Sequence, residues 1–252
     1  MSIKIGHASI DERGKIAGGN SGDQTGKEVC IRSWYNKAWN IYLECLDRVM
    51  ADNAAKFMVQ ICTDDNYGYD QVERWTGYNA IKKNGSKVSG ATGEFDCSSL
   101  IITCYIMAGL KISPDGYTGN LKAKLLATGK FKLYSDAPHL TSDKYAKRGG
   151  IYLKEGSHVV MALEDGSRPV NPYKEPAETI IKGMAGEGVR WTQWELRAAG
   201  YTIVEVNGFS KELKIDGLCG PITDAGIRKY QLDHGLTIDG KVGLKTRTEM
   251  KR

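Results

Sequence analysis

The segment Gly93-Glu94-Phe95-Asp96-Cys97-Ser98-Ser99-Leu100 sets a cysteine where a helix should begin. Leu100, Ile101, Cys104, Met107 and Ala108 recur at helical spacing, and Asp96 is a good N-cap residue. A thiol at that point meets unpaired backbone N–H groups and the positive end of the helix dipole. Both favour the thiolate, the reactive form. Such a nucleophile needs a base, and His158 opens the apolar run His158-Val159-Val160-Met161-Ala162-Leu163, which reads as a covered central strand. The following Asp165-Gly166 is a two-residue hairpin signal. If Glu164 sits opposite Ser167, Val160 faces Asn171 and His158 faces Tyr173. Asn171 then shares a face with His158 and lies diagonal to it, within reach of a hydrogen bond. Cys97 as nucleophile, His158 as base and Asn171 as orienter of the ring form a thiol-hydrolase constellation.

The elements that must position these residues follow from the pattern around them. Residues up to about Asp23 read as loop, broken by glycines; His7 and the Gly22–Val29 stretch read as ordinary surface loop, with the border of a cleft as the alternative. Trp39–Met50 and Ala51–Thr63 read as helices, and Lys82–Gly93 as a polar loop. Leu121–Thr128 reads as a helix, and Phe131–Tyr134, Gly150–Leu153, His158–Leu163 and Arg168–Tyr173 as strands. Helices followed by strands predict an α+β domain with an antiparallel sheet over residues 1–173. Pro176, Gly183 and Gly186 mark residues 174–186 as a linker. Residues 187–252 read as a second, small helical module able to fold alone. Val189–Ala199 is an amphipathic helix, and two related segments follow, Ile215-Asp216-Gly217 through Thr223 and Ile238-Asp239-Gly240 through Thr246. Each sets an Asp-Gly turn and a second glycine before a threonine able to cap a helix.

Composition narrows the function. The 252 residues carry a net charge of +5 and 41% hydrophobic residues, with basic residues dispersed. This profile predicts a globular chain with no nucleic-acid groove and no membrane association; mild attraction to an anionic polymer such as a cell wall suits it. The start, Met1–Gly19, has no apolar signal core, which predicts synthesis in a cytoplasm without a signal peptide. The six cysteines show no CxxC and no tight pairing. Neither a metal site nor a disulfide framework nor any cofactor is expected, and five of the cysteines read as packing residues.

Phe95-Asp96-Cys97-Ser98-Ser99-Leu100, Ser157-His158-Val159 on a strand and a polar third residue together resemble the NlpC/P60 family of cysteine peptidases. The resemblance is closer to lysins of phages of Gram-positive hosts. It extends to Ile5-Gly6-His7-Ala8, to Gly22-Asp23-Gln24-Thr25-Gly26-Lys27-Glu28-Val29, and to Tyr67-Gly68-Tyr69-Asp70-Gln71 with Arg74-Trp75. Residues 187–252 are similar to a three-helix peptidoglycan-binding domain.

The resemblance implies a papain-like catalytic domain and hydrolysis of an amide in peptidoglycan stem peptides, between γ-D-glutamate and diaminopimelate or lysine. It implies Cys97 as nucleophile, His158 as base and Asn171 as third member. The family's tyrosine in a Tyr-x-x-Gly-Gly setting shortly before the cysteine has no counterpart here, and Tyr69, or Tyr67, takes its place as oxyanion donor beside the Cys97 N–H. Asp96, Ser98 and Ser157 are placed to bind substrate, with helix capping the competing role for Asp96. The implied partner is bacterial peptidoglycan, met by a monomer acting at the cell wall. An N-acetylmuramoyl-L-alanine amidase and a non-catalytic wall-binding protein are the alternatives.

Overall fold

Val159 and Met161 pack into one apolar cluster while Val160 and Ala162 pack into another, so the strand that carries them is covered on both faces. That single alternation fixes the layering of the first of two compact units, residues 1–168 and 169–252. The protein's structure is a computed structural model that describes residues 2–167 and 171–251. The first unit runs β1 (Lys4–Ala8), β2 (Val29–Ser33), β3 (Ile41–Cys45), α1 (Arg48–Cys62), β4 (Tyr67–Tyr69), α2 (Thr76–Lys83) and β5 (Gly93–Phe95). There follow α3 (Cys97–Met107), α4 (Leu121–Leu126), β6 (Phe131–Tyr134), α5 (Ala137–Thr141), β7 (Ile151–Lys154) and β8 (His158–Ala162).

Among the described residues the main sheet has the order β2-β1-β8-β7-β3-β6. Every neighbouring pair is antiparallel. The unit is thus mixed α and β on an antiparallel sheet. Helices α1 and α3 cover one face, where Ala54, Met58, Leu100, Ile101 and Cys104 meet Leu43, Ile151, Val159 and Met161. Each fully buried leucine or isoleucine there contributes about 1.5–3 kcal/mol. Trp39, Tyr42, Tyr152 and Ile5 line the other face. Gly6 points at α1, where a Cβ would stand 2.4 Å from Met58 Cγ, so β1 approaches the helix only because residue 6 has no side chain.

The structure corrects several expectations about these elements. β1 lies inside the segment read as loop, because its five residues Lys4-Ile5-Gly6-His7-Ala8 are too short and mixed to show a strand pattern. β3 replaces a helix over Trp39–Met50; Ile41, Leu43 and Cys45 face the helices while Tyr42 faces the aromatic side, which hides the strand period. The helix starts only at Arg48, capped by the Asp47 carboxylate on the Met50 N–H. The hairpin at Asp165-Gly166 does not form. Asp165 Oδ1 instead accepts the Arg148 N–H at 2.7 Å, and both edges of β8 are already taken by β1 and β7. Of the strand expected over Arg168–Tyr173, residues 168–170 lie outside the described residues, and residues 171–173 form no strand.

The second unit holds α6 (Glu187–Ala198), β9 (Ile203–Val206), β10 (Phe209–Glu212), α7 (Pro221–Asp233) and α8 (Leu244–Met250). The β9–β10 hairpin was not expected. Its signal is Asn207-Gly208, both at positive φ (52° and 77°), the combination a two-residue type I′ turn requires. The duplicated Asp-Gly segments are structural twins, each locked by one buried glutamine. Gln193 Nε2 donates to Asp216 Oδ1 and Leu218 O while its Oε1 accepts the Gly217 N–H. Gln231 repeats this on Asp239, Lys241 and Gly240. The helix caps are Gly220 and Gly243 rather than the threonines. Thr223 and Thr246 sit one turn inside and donate back to Leu218 O and Lys241 O. Nor is the stretch 174–186 a free linker. Ile180 is buried and pairs with Val242, and Ala185 pairs with Leu218, so this segment binds both Asp-Gly loops.

Candidate active site

Helix α3 begins at Cys97 because Asp96 caps it from extended backbone. Asp96 Oδ1 accepts the Ser99 N–H at 2.6 Å, and Ser99 Oγ accepts the Asp96 N–H at 2.9 Å, closing a capping box. The same carboxylate takes the Ser98 hydroxyl at 3.0 Å and the Arg74 guanidinium at 2.7 Å. Asp96 and Ser98 are buried. Both were expected to touch substrate. Their lone pairs and protons are spent on holding the turn that presents Cys97, so this expectation is corrected. Ser157, by contrast, is exposed and lines the cleft.

The cleft has a volume of about 370 Å³, and Cys97, His158, His7, Tyr69 and Tyr35 all line it. Cys97 comes from the helix start and His158 from the first residue of β8, whose Val159 N–H faces the thiol. The structure does not set Asn171 on a strand beside His158, since the neighbours of β8 are β1 and β7. Asn171 Nδ2 donates to Trp191 O and Glu195 Oε1, both at 3.0 Å, which fixes it on α6 in the second unit. The diagonal, same-face position on the strand beside His158 is filled by His7. β1 pairs with β8 in the register Gly6↔Met161, which carries His7 opposite Val160. His7 Nδ1 stands 3.2 Å from His158 Nε2.

The proton positions along this chain follow from its far end. The Lys27 carbonyl can only accept, so the Cys30 thiol 3.4 Å away donates to it. The Cys30 sulfur then accepts from His7 Nε2–H at 3.5 Å. His7 Nδ1 is left bare and takes the proton of His158 Nε2. That polarity leaves His158 Nδ1 unprotonated, the state a general base needs. Trp39 lies nearly parallel to the His158 ring, 6.2 Å between centroids.

Tyr69 reaches the cleft through a local device. The parallel pair β4–β5 sets Tyr69 beside Phe95, two residues before the nucleophile. Burial, with the Cys97 and Asp96 charges adding, holds its phenol well above the ordinary range, so it stays a donor. Tyr67, the alternative, gives its hydroxyl to Val88 O at 2.5 Å inside the core. The Gly22–Val29 stretch is a folded support rather than a plain surface loop. The Asp23 carboxylate accepts five backbone N–H groups, from Thr25 to Val29. Glu28 bridges this loop to β4 by accepting the N–H groups of Gln24 and Tyr69. The signal was present in the sequence as two acids five residues apart around Gly26, but an Asx-type turn and a strand anchor have no periodic mark.

Electrostatics correct one further expectation. Burial pushes the Cys97 thiol up to about 12, and the Asp96 carboxylate adds to that; the Val159 and Ser98 N–H groups offset only part. Desolvation therefore outweighs the helix N-terminus. Burial lowers His158 to about 4, with Lys37 and Arg32 adding. Burial lowers His7 to about 3, with His158, Arg32 and Lys37 adding. At neutral pH the resting pair is a thiol beside a neutral imidazole. The acid limb of kcat/KM is expected near pH 4, and a limb near 6.5 in a pH–rate profile contradicts the buried geometry. The sign for stability is the same. Between 6.5 and about 4 the unfolded chain binds a proton at His158 that the folded chain refuses, so this group's contribution is complete above 6.5 and lost as pH falls.

Among the described residues no three His, Cys, Asp or Glu side chains converge as a metal site requires, and no helix is long and apolar enough to cross a membrane. Residues 5–169 match the family model described as an endolysin-like domain, and residues 185–250 match that of a peptidoglycan binding domain. The zinc D-Ala-D-Ala carboxypeptidase of Streptomyces albus G is 40% identical over 68 residues, 27% of this chain. The chain spans 24% of that relative's length. Among solved structures, the crystal structure of the SleB N-terminal domain is 28% identical, covering 31% of this chain and 93% of that one at a TM-score of 0.25.

Proposed function

Since the endolysin-like domain model spans residues 5–169, this chain belongs to the endolysin-like domain family, and from that premise we propose that it lyses peptidoglycan by cleaving a stem-peptide amide with Cys97 as nucleophile. The observation that carries the reading is the convergence of Cys97, His158 and Tyr69 in one cleft, with His158 Nδ1 left bare by its bond to His7. A papain-like order of parts, a nucleophile at a helix start against a base on an antiparallel sheet, supports placing the unit with cysteine peptidases of the NlpC/P60 kind.

The chemistry balances without further groups. As Cys97 Sγ attacks the carbonyl carbon, His158 Nδ1 takes the thiol proton. The oxyanion is held by the Tyr69 hydroxyl and the Cys97 N–H, which at the first helical position has no intrahelical acceptor. Collapse breaks the C–N bond, and the amine leaves with the proton from His158. A water, losing its proton to the same nitrogen, then cleaves the thioester and restores the thiol. His7 receives the hydrogen bond of His158 throughout and stabilises the imidazolium as it forms.

The bond we assign is the γ-D-glutamyl amide before diaminopimelate or lysine. Residues 185–250 would hold the enzyme on the polymer, raising its effective concentration there. Mass spectrometry of digested walls tests this. New amines on the diamino acid are expected. New amines on L-alanine would reassign the bond to that of an amidase, and intact muropeptides with protein still bound would leave a wall-binding protein alone.

A further inference from the structure

The cleft that holds Cys97 is lined by two formally charged side chains, Arg32 and Lys37, and by no Asp or Glu. Among the described residues neither cation has an ion-pair partner within 4.0 Å, whereas Arg74 is paired with Asp96 and Arg148 with Asp52. Arg32 and Lys37 are both exposed, but Arg32 is held in place. Its guanidinium lies over the Tyr35 ring at 4.6 Å, and β2 carries it on the same face as Cys30, which pairs with His7. Two cations beside a base and its orienter are unfavourable for catalysis, because both lower the histidines' affinity for a proton. Both cations thus face a cleft wall with no carboxylate of the chain's own to compete for them.

We propose that Arg32 and Lys37 form a carboxylate subsite that selects substrates with a free carboxylate on the residue supplying the scissile carbonyl. The inference rests on the peptidase reading above, in which that residue is a γ-linked glutamate with its α-carboxylate free. Arg32 offers planar paired donors and Lys37 a mobile point charge, a combination suited to one carboxylate at the cleft wall. A bound carboxylate also offsets the two positive charges that oppose protonation of His158, so the group that binds the substrate also aids the proton transfer.

The experiment compares two synthetic stem peptides, L-Ala-γ-D-Glu-L-Lys-D-Ala and its α-amide, on the full chain. Wild type is expected to favour the free acid by about 10-fold or more in kcat/KM. Arg32→Gln with Lys37→Met should bring the ratio of the two peptides close to one, and Arg32→Lys should keep most of the preference. Equal cleavage of both peptides by wild type, or an undiminished preference in the double variant, overturns the subsite and leaves the peptidase reading standing. Cleavage of neither peptide by a wild type that still lyses walls overturns the peptidase bond and the subsite with it.

Discussion

Cys97→Ala is expected to lower wall lysis by at least about 10³-fold while leaving the fold and wall attachment intact. The size of the loss follows from chemistry, since an alanine offers nothing that can attack a carbonyl, and His158 has no other proton to take from the enzyme. The retention of fold follows from packing. Cys97 is small and buried, and the helix start is fixed by Asp96, Ser99 and Arg74 rather than by the thiol. The sulfur's backbone contacts are with the Val159 N–H of β8 and the Ser98 N–H at the helix start. Residues 185–250 lie in the other unit, so pull-down on walls should match wild type. Turbidity loss and pull-down measured on one preparation separate the two. A variant that lyses walls at a tenth of the wild-type rate or faster would place the chemistry elsewhere.

The second large effect discriminates between His7 and Asn171. His7→Ala should reduce kcat by about 10²-fold with little change in KM, because without an acceptor for its Nε2 proton His158 can present the wrong nitrogen to the thiol. His7→Gln, whose carbonyl can accept that proton, should recover part of the rate and shift the acid limb of the pH profile, which a merely structural role would not do. The alanine variant also strands the Cys30 sulfur and the His158 ring nitrogen, a stability cost of about 1–3 kcal/mol. Asn171→Ala loses its bonds to Trp191 and Glu195 in the second unit and should leave turnover within about twofold of wild type. If Asn171→Ala is the slow enzyme and His7→Ala the normal one, the relay through β1 is wrong.

That Cys97 and His158 line one cleft follows from local signals, whereas Tyr69, which lines it too, was reached only through the family resemblance. A capping Asp at the head of an apolar helix and a histidine opening an apolar run each mark one place in the chain. The side chain that bonds the His158 ring was not legible for a topological reason. Register reasoning identified the right position, diagonal to His158 on the same face, but assumed that the neighbouring strand comes next in the sequence. The sheet order puts β1 there instead, a partner about 150 residues away that no local pattern announces. The same limit affected β3, whose inward residues on both faces erase the period-two signal. Asp-Gly at 216–217 and 239–240 correctly marked a duplicated turn, yet Asp-Gly at 165–166 made no hairpin, because Asp165 serves as an acceptor for Arg148. A turn dipeptide states what the backbone can do, and the free edges of the sheet decide whether it does so. The thiolate expectation failed on magnitude: the helix start favours the anion, but burial of the sulfur opposes it more strongly.

The most direct measurement is a titration of wall lysis against a stem-peptide chloromethyl ketone, with the modified residue counted by peptide mass mapping. Lysis should fall in strict proportion to alkylation at Cys97, with Cys30, Cys45, Cys62, Cys104 and Cys219 unmodified. Full alkylation of Cys97 with lysis undiminished would contradict a thiol mechanism at this site.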